Sequence, residues 1–269
     1  MKHERDLILF LGDFWRKSCI LKVKNRESKM TRDKIFKKRQ QIIDFNFKKK
    51  TAEVFDDMLN RSVPFYHEIQ RMINEIAADF AVSGTNVYDL GCSTGTTLIG
   101  LDKILPQDIT FIGVDYSGDM LTKAREKLRK YNVKRKHKFI RADLNAGVRI
   151  VNASVVIFTL TLQFVRPLKR KAVIENIARG INNGGCLILV EKVLSINSTL
   201  NRLFINYYYN FKKRQGYSKL EIAQKRETLE NILIPYRPEE NRHLLLESGF
   251  KECDIFFKWY NFCGMLALK

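Results

Sequence analysis

The segment Asn86–Thr96, which reads NVYDLGCSTGT, combines a carboxylate with two glycines at a spacing suited to binding a small ligand. Asp89 lies in an apolar run that begins at Val87, and such a run predicts a short buried strand. Gly91 and Gly95 have no Cβ, so they can adopt positive φ and let a ligand approach the backbone. The segment predicts a strand, a turn and a helix, with a ligand at the carboxyl end of the strand. The alternative is a tight strand-to-helix turn that binds nothing.

Two further aspartates follow apolar runs. Asp115 ends the run FIGVD, and Asp143 follows the next predicted strand in the segment RADL. A carboxylate at a strand terminus offers two acceptor oxygens to ribose hydroxyls, which is the role predicted for Asp115. The alternative is capping of the next helix, a role that Ser117 can also fill. Asp143 is an ordinary loop residue by itself, but as the third member of this series it is predicted to accept from an adenine amine.

The spacing D-x-G-x-x-x-G of Asp89, Gly91 and Gly95 resembles the first motif of class I S-adenosylmethionine (AdoMet) methyltransferases more than the G-x-G-x-x-G dinucleotide fingerprint. The strand 155–161 has no N-P-P-Y or D-P-P-Y loop after it, and no cysteine adjoins a proline as in pyrimidine-C5 enzymes. The four histidines are dispersed, so neither a proton-abstracting base nor a metal site is predicted.

Apolar patterning predicts the elements that position these residues. Predicted strands cover Val87–Leu90, Ile109–Val114, Lys138–Ile140, Val155–Phe158, Cys186–Val190, Asp254–Tyr260 and Cys263–Leu268. Predicted helices cover Pro64–Phe80, Thr96–Ile104, Gly118–Tyr131, Pro167–Arg179, Asn197–Lys213 and Ser218–Leu233. Strands separated by helices predict a parallel sheet covered on both faces. Only two residues separate the last two strands, which requires an antiparallel hairpin.

These elements predict an α/β protein with a Rossmann-like class I methyltransferase fold. Its mostly parallel, seven-stranded sheet has a C-terminal antiparallel strand, and a helical segment is inserted at about residues 195–235. The segment Asn182–Cys186, NNGGC, resembles the N-P-G-G turn that precedes the fifth strand of this fold. The aromatic run in the first inserted helix has helical spacing, so packing is its predicted role.

Length and composition limit the alternatives. A chain of 269 residues with 45% apolar content suits one large α/β domain with an appendage. No apolar run reaches 18 residues, so no membrane-spanning helix is predicted. The five cysteines are odd in number and include no C-x-x-C pair, which argues against a disulfide framework and a zinc site. A reducing cytoplasm is the compartment that this pattern favours.

The net charge of +19 is concentrated near the N-terminus, where residues 1–50 contain sixteen Lys and Arg against six Asp and Glu. A second basic run covers Lys123–Lys138. Such regions suit direct contact with RNA, although a solvated lysine-rich surface is slightly favoured. Residues 1–45 are interpreted as a basic N-terminal arm, of which residues 1–29 are expected to be an upstream extension. Residues 46–269 are interpreted as the AdoMet-binding domain.

From about Phe45 to Leu268, the chain resembles the carboxy-S-adenosyl-L-methionine synthase family of the bacterial tRNA wobble-uridine pathway. Several of the resembling segments are not shared with ordinary methyltransferases. They are AEVFDDM (52–58), RSVP (61–64), VYDLGCS (87–93), TLQF (161–164), NFKK (210–213), GYS (216–218) and EIAQKR (221–226).

The resemblance implies that AdoMet is a substrate, joined to a carboxyl group from prephenate with release of phenylpyruvate and water. The product would serve a downstream tRNA carboxymethyltransferase that forms uridine-5-oxyacetic acid. It also implies a cytoplasmic homodimer in which the inserted helices are exchanged between subunits, so that one subunit's arginine serves its neighbour's pocket.

The resemblance also assigns individual residues. Arg226 matches the arginine that holds the new carboxylate, and a planar guanidinium suits that task because it binds carboxylates bidentately. Thr159 occupies the position of a usual asparagine in the cofactor site. The remaining cofactor-binding residues that the resemblance implies are Tyr66, Gly91, Cys92, Ser93, Asp115, Tyr116, Asp143 and Leu144.

Two other functions remain open at this level. An ordinary AdoMet-dependent methyltransferase acting on RNA or a small molecule would have the same cofactor loop, and the basic regions would suit an RNA substrate. A module with this fold that binds RNA or a partner enzyme without catalysis is the third possibility. The seven segments favour the carboxy-AdoMet synthase.

Overall fold

The computed structural model describes residues 31–39 and 44–269. The seven strands are β1 (Asn86–Leu90), β2 (Thr110–Asp115), β3 (His137–Arg141), β4 (Ala153–Thr159), β5 (Ile181–Lys192), β6 (Glu252–Trp259) and β7 (Phe262–Leu268). The helices of the described residues are α1 (Lys49–Ser62), α2 (Tyr66–Phe80), α3 (Thr96–Asp102), α4 (Gly118–Lys130), α5 (Pro167–Gly180), α6 (Ser198–Arg214), α7 (Lys219–Leu229) and α8 (Pro238–Glu247). The extension predicted for residues 1–29 lies outside the described part.

The strands form one sheet in the order β3-β2-β1-β4-β5-β7-β6. The first five strands pair in parallel, and β7 runs antiparallel to both β5 and β6. The sequence therefore predicted the number of strands, the parallel sheet and the terminal hairpin correctly. The strand order reverses between β1 and β4, and ligands bind at such a switch point, beyond the carboxyl ends of the strands.

Helices cover both faces of the sheet because the strands are apolar on both sides. One core contains Ile174 of α5 and Leu245 of α8. The other contains Ile73 of α2, Leu98 of α3 and Phe262 of β7. Burial on both faces is typical of parallel sheets connected by helices.

Three local features differ from the prediction. Helix α2 begins at Tyr66 rather than Pro64, since Phe65 has a positive φ of 54° and interrupts the helical path. The NNGGC segment lies within β5, where Gly184 has φ 79° and the register with β4 shifts between Ala153 and Val155. Helix α7 ends at Leu229, short of the predicted Leu233.

Helices α1 and α8 were absent from the sequence prediction. In α1, Phe55 and Met58 pack with Met120 of α4, so this helix covers the first turn of α4 and the loop after β2. Residues 31–39 also contact folded elements: the Tyr217 hydroxyl donates to the Asp33 carboxylate at 2.8 Å. The side chain of Gln224 donates to the Phe36 carbonyl at 2.9 Å.

The basic run 123–138 is partly structural. Arg135 is buried and donates to the Asp102 carboxylate and to the carbonyls of Leu105 and Pro106. Lys127 pairs with Asp56 at 2.6 Å. In the part of the chain that the structure describes, no helix is long and apolar enough to cross a membrane.

Candidate active site

The turn after β1 is organised around the carboxylate of Asp115 at the end of β2. Its Oδ2 accepts from the Ser93 amide at 3.0 Å, and its Oδ1 accepts from the Ser117 amide at 2.8 Å. The Ser117 hydroxyl caps α4 by accepting from the Met120 amide. Capping is therefore done by Ser117, while each oxygen of Asp115 retains acceptor capacity for a ligand hydroxyl.

Gly91 allows two loops to meet at the carboxyl edge of the sheet. It has φ 79°, and a Cβ at this position would lie 2.1 Å from the Thr161 Oγ1. The loop containing Thr161 follows β4 and is held by Glu191, a buried residue of β5. The Glu191 carboxylate accepts from the amides of Thr161, Leu162 and Gln163 at 3.0, 2.9 and 2.9 Å. Glu191 thus positions the loop opposite the glycine turn.

Asp143 begins the short 3-10 helix Leu144–Ala146. Its Oδ1 accepts from the Asn145 amide at 2.9 Å and from the Asn145 side chain at 2.8 Å. This arrangement fixes the carboxylate beside the end of β3, next to the end of β2. Asp115 and Asp143 therefore lie at, or just beyond, the carboxyl ends of neighbouring strands, as their positions in the sequence predicted.

The structure brings nearly all of the predicted site residues together around one cavity of about 420 Å³. This volume falls within the range of small-molecule sites. Nine of the ten predicted residues line it: Tyr66, Gly91, Cys92, Ser93, Asp115, Tyr116, Asp143, Leu144 and Thr159. Asp89 also lines the cavity.

Aromatic side chains cover one side of the cavity. The Phe47 ring lies 6.4 Å from that of Tyr116 and 5.5 Å from that of Phe164, both edge-on. All three residues line the cavity together with Phe45 and Phe55. These rings give one side of the cavity an apolar wall, at which Tyr116 remains half exposed to solvent.

The cavity is acidic near the glycine turn. Burial, and secondarily the negative charge of Asp115, raises the pKa of Asp89 to about 7. Burial also raises the pKa of the Cys92 thiol, which the charges of Asp89 and Asp115 raise further. A cationic ligand would stabilise the ionised form of Asp89, whereas Cys92 remains a neutral thiol and is unsuited to nucleophilic chemistry.

Arg226 is the predicted residue that the structure leaves outside this cavity. It is exposed on α7, where its guanidinium lies 3.6 Å from the Glu227 carboxylate. It borders a separate surface depression with Tyr209, Lys213 and Lys219. Within one chain, therefore, Arg226 does not reach the site formed by the other nine residues.

Sequence reasoning missed two cationic residues that line the cavity, Lys192 and Lys225. Lys192 is the last residue of β5, so the strand-end argument that identified Asp115 would also have identified it. Lys225 lies within the EIAQKR segment, one residue before Arg226, and its helical position gave no signal. Among the described residues, no group of three or more His, Cys, Asp or Glu side chains is arranged to hold a metal ion.

Comparison with known proteins defines the class first. A family described as "Methyltransferase domain" matches residues 87–185. A solved O-methyltransferase family protein from Burkholderia thailandensis superposes with a TM-score of 0.62 at 14% identity, covering 84% of this chain and 64% of that one. A putative S-adenosyl-L-methionine-dependent methyltransferase from Methanococcus maripaludis gives 0.57 at 18% identity, covering 86% and 97%. The fold is that of class I AdoMet-dependent methyltransferases.

Sequence relatives then define the family. A carboxy-S-adenosyl-L-methionine synthase from Methylococcus capsulatus is 54% identical over 242 residues, which cover 89% of this chain and 100% of that protein. Another, from Desulfotalea psychrophila, is 44% identical and covers 88% and 97%. The chain belongs to the carboxy-S-adenosyl-L-methionine synthase family.

Proposed function

We propose that this protein converts AdoMet and prephenate into carboxy-AdoMet, phenylpyruvate and water. The observation that carries this proposal is the cavity, which brings nine residues matched to the family's cofactor site together in a chain that aligns with its relatives over nearly their whole length. AdoMet enters as a substrate and leaves with an added carboxyl group.

The cavity fits AdoMet on three structural grounds. The Thr159 Oγ1 is buried without a hydrogen-bond partner among the described residues, so a ligand atom would satisfy it. The glycine turn lines the cavity with Gly91, Cys92 and Ser93, so its backbone can contact a ligand. The sulfonium and ammonium groups of AdoMet are cationic, so they would offset the cost of burying an ionised Asp89 carboxylate in the cavity. Asp115 and Asp143 would accept from the ribose hydroxyls and the adenine amine, and Tyr66, Tyr116 and Leu144 would pack against the ligand.

AdoMet supplies a methyl carbon, acidified by the adjacent sulfonium, which receives the carboxyl group. That carbon loses one proton, prephenate loses its carboxyl group and its ring hydroxyl, and the proton and hydroxide leave as water. The chain's contribution is to hold the two substrates together beside the apolar wall of Phe47, Tyr116 and Phe164.

We further propose that the protein is a homodimer in which Arg226 binds the new carboxylate in the neighbouring subunit's cavity. Two observations support this proposal. Arg226 is exposed and outside its own cavity. Leu200, Leu203 and Tyr207 expose apolar surface on α6, next to α7 in the chain. A bidentate guanidinium–carboxylate pair would favour the carboxylated product over AdoMet.

The proposed product is the donor for a downstream tRNA carboxymethyltransferase acting on the wobble uridine, and the proposed compartment is the cytoplasm. Direct RNA binding by this chain is not required for such a role, because the small-molecule product links the two enzymes.

Incubation of the protein with AdoMet and prephenate tests the reaction. Mass spectrometry should detect AdoMet increased by one carboxyl group, with phenylpyruvate in equal amount. Methylated RNA or a methylated small molecule instead would support an ordinary methyltransferase. Neither product from protein that binds AdoMet would support a module without catalysis.

Mixing two impaired variants, assayed at pH 8 and at AdoMet concentrations well below the Kd of Asp89→Asn, tests the position of Arg226. Arg226→Ala has an intact cavity, and Asp89→Asn has an intact arginine. If the arginine acts between subunits, random mixing should restore about a quarter of wild-type activity, because about half of the dimers are mixed and one of their two sites is complete. If verified mixed dimers recover no activity, Arg226 either acts within its own chain or has no role in the reaction.

A further inference from the structure

Three lysines are clustered at the end of the cavity formed by β5, α6 and α7. Lys192 and Lys225 line the cavity, and Lys212 lies behind Tyr208. Lys212 and Lys225 are 4% and 7% exposed, which is unusual for lysine. The cluster requires an explanation because an isolated buried ammonium group is costly.

None of the three lysines forms an ion pair with a carboxylate of the described residues. Their neighbours are mainly aromatic rings: the Lys192 Nζ lies 4.5 Å from the Tyr208 centroid, and the Lys212 Nζ lies 5.6 Å from it. Lys225 donates to the Ser62 hydroxyl at 3.2 Å. Cation–π contacts and one hydroxyl compensate incompletely for lost hydration.

The acids near this cluster, which include Asp33 and Glu221, offset its positive charge only in part. Asp33 accepts from the Tyr217 hydroxyl at 2.8 Å, and Glu221 accepts from the Ser218 amide at 2.7 Å in a capping box. Burial lowers the pKa of Lys192 and of Lys225 to about 8. Burial, together with the charges of the other two lysines, lowers the pKa of Lys212 to about 6. All three ammonium groups would therefore be stabilised by an anion entering the cavity.

The location of the cluster identifies which ligand supplies that anion. Asp115 ends β2, whereas Lys192 ends β5, and β1 and β4 lie between these two strands. Neighbouring strands are about 4.8 Å apart, so the two strand ends are separated by roughly 14 Å. The acidic end of the cavity suits a cationic ligand, and the lysine end suits an anionic one. A single cavity thus has two ends of opposite charge.

We propose that Lys192 and Lys225 form the carboxylate-binding subsite for the second substrate. This inference rests on the proposed function, in which the second substrate, prephenate, is a dicarboxylate. Two cationic side chains facing the cavity match two carboxylates, and Tyr208 and Phe262 beside Lys192 provide apolar surface for its ring. The lysines act as substrate-positioning residues.

The test uses Lys192→Met and Lys225→Met, which keep side-chain length and remove the charge. Lys171→Met is the matched control, since Lys171 is an exposed residue of α5 outside the cavity. Each cavity variant should raise the prephenate KM by at least about tenfold, as expected for loss of a charge-assisted hydrogen bond. The AdoMet Kd and the melting temperature should not worsen, because no ion pair is lost. Lys192→Arg and Lys225→Arg should retain most of the binding.

Different outcomes separate the two proposals. Wild-type protein that makes no carboxy-AdoMet refutes the proposed function. The subsite can then still be tested by calorimetric titration of prephenate into the AdoMet-loaded protein, which compares the prephenate Kd of wild type with that of the lysine variants. Active wild type with unchanged prephenate KM in both Met variants overturns the subsite alone. Equal loss of AdoMet affinity would also overturn it, because the lysines would then hold AdoMet's own carboxylate. If a Met variant does not fold while the Arg variant folds and binds prephenate weakly, the lysine is structural and the subsite is refuted at that position.

Discussion

Replacing Asp89 with asparagine should stabilise the protein and weaken its binding of AdoMet. The carboxylate of Asp89 is 2% exposed and has no hydrogen-bond partner among the described residues, and burial raises its pKa from 3.8 to about 7. Ionising a carboxyl group whose pKa is raised this far costs roughly 4 kcal/mol of folding free energy. Asparagine has the same shape and avoids that cost.

The sign of the pH dependence follows from proton binding. Between the unfolded and folded pKa values, the folded wild type holds a proton at Asp89 that the unfolded chain has lost. Wild-type stability therefore falls as pH rises through this window and levels off above about pH 7. The Asn variant lacks this contribution, so its advantage over wild type should grow by about 2 kcal/mol between about pH 5.5 and pH 8.

Urea unfolding of both proteins across this pH range measures the effect. The difference in unfolding free energy between Asp89→Asn and wild type is compared at two pH values, so any contribution of the amide that does not depend on pH cancels. Asp254→Asn, which replaces an exposed carboxylate of β6 by an amide, is the control for the substitution itself. A difference for Asp89→Asn that does not vary with pH would refute the assignment of a raised pKa to this residue.

The same residue predicts how AdoMet binding depends on pH. A cationic ligand favours ionised Asp89, so wild-type affinity should fall by up to about tenfold per pH unit below pH 7, with proton release on binding. The Asn variant should bind AdoMet at least about tenfold more weakly at pH 8 because it offers no charge to the ligand. Calorimetry in buffers of different ionisation enthalpy measures both effects, and binding without proton release at low pH would contradict the reasoning.

Three further substitutions test the walls of the cavity. Gly91→Ala should lower the free energy of unfolding, measured with urea, by at least about 2 kcal/mol. The new Cβ would meet Thr161 at 2.1 Å, and the backbone φ at this position is 79°. A variant as stable as wild type would show that the two loops are not in close contact. Thr159→Val removes a buried hydroxyl that has no partner among the described residues, so the free protein should be as stable as wild type or up to about 1 kcal/mol more stable. The same change should weaken AdoMet binding, measured by calorimetry, because the ligand loses a hydrogen-bond partner. Unchanged affinity would show that this hydroxyl does not contact AdoMet. Glu191→Ala should lower the unfolding free energy by about 1–3 kcal/mol, since it leaves three backbone N–H groups without their acceptor. An unchanged urea midpoint would contradict the positioning role of Glu191.

The difference between predicted and observed elements has a physical origin. The buried strands were predictable because continuous apolar runs between turn residues have few alternative structures. Helix α1 was missed because its sequence, KKTAEVFDDMLNRS, is rich in charge and its burial depends on contact with Met120 of α4. Helix α8 has only two buried residues, Asn241 and Leu245, so its amphipathic signal is weak.

Sequence alone determined the sheet, the glycine turn and the positions of Asp115 and Asp143, because the carboxyl ends of neighbouring parallel strands meet at one edge whatever the packing around them. Tertiary structure decided what lies opposite them. It directed Lys192 and Lys225 to the cavity and left Arg226 on the outer surface, although Lys225 and Arg226 are adjacent in the sequence. On a helix, neighbouring residues point about 100° apart, so only the packing of α7 against the sheet domain determines which cation the cavity receives.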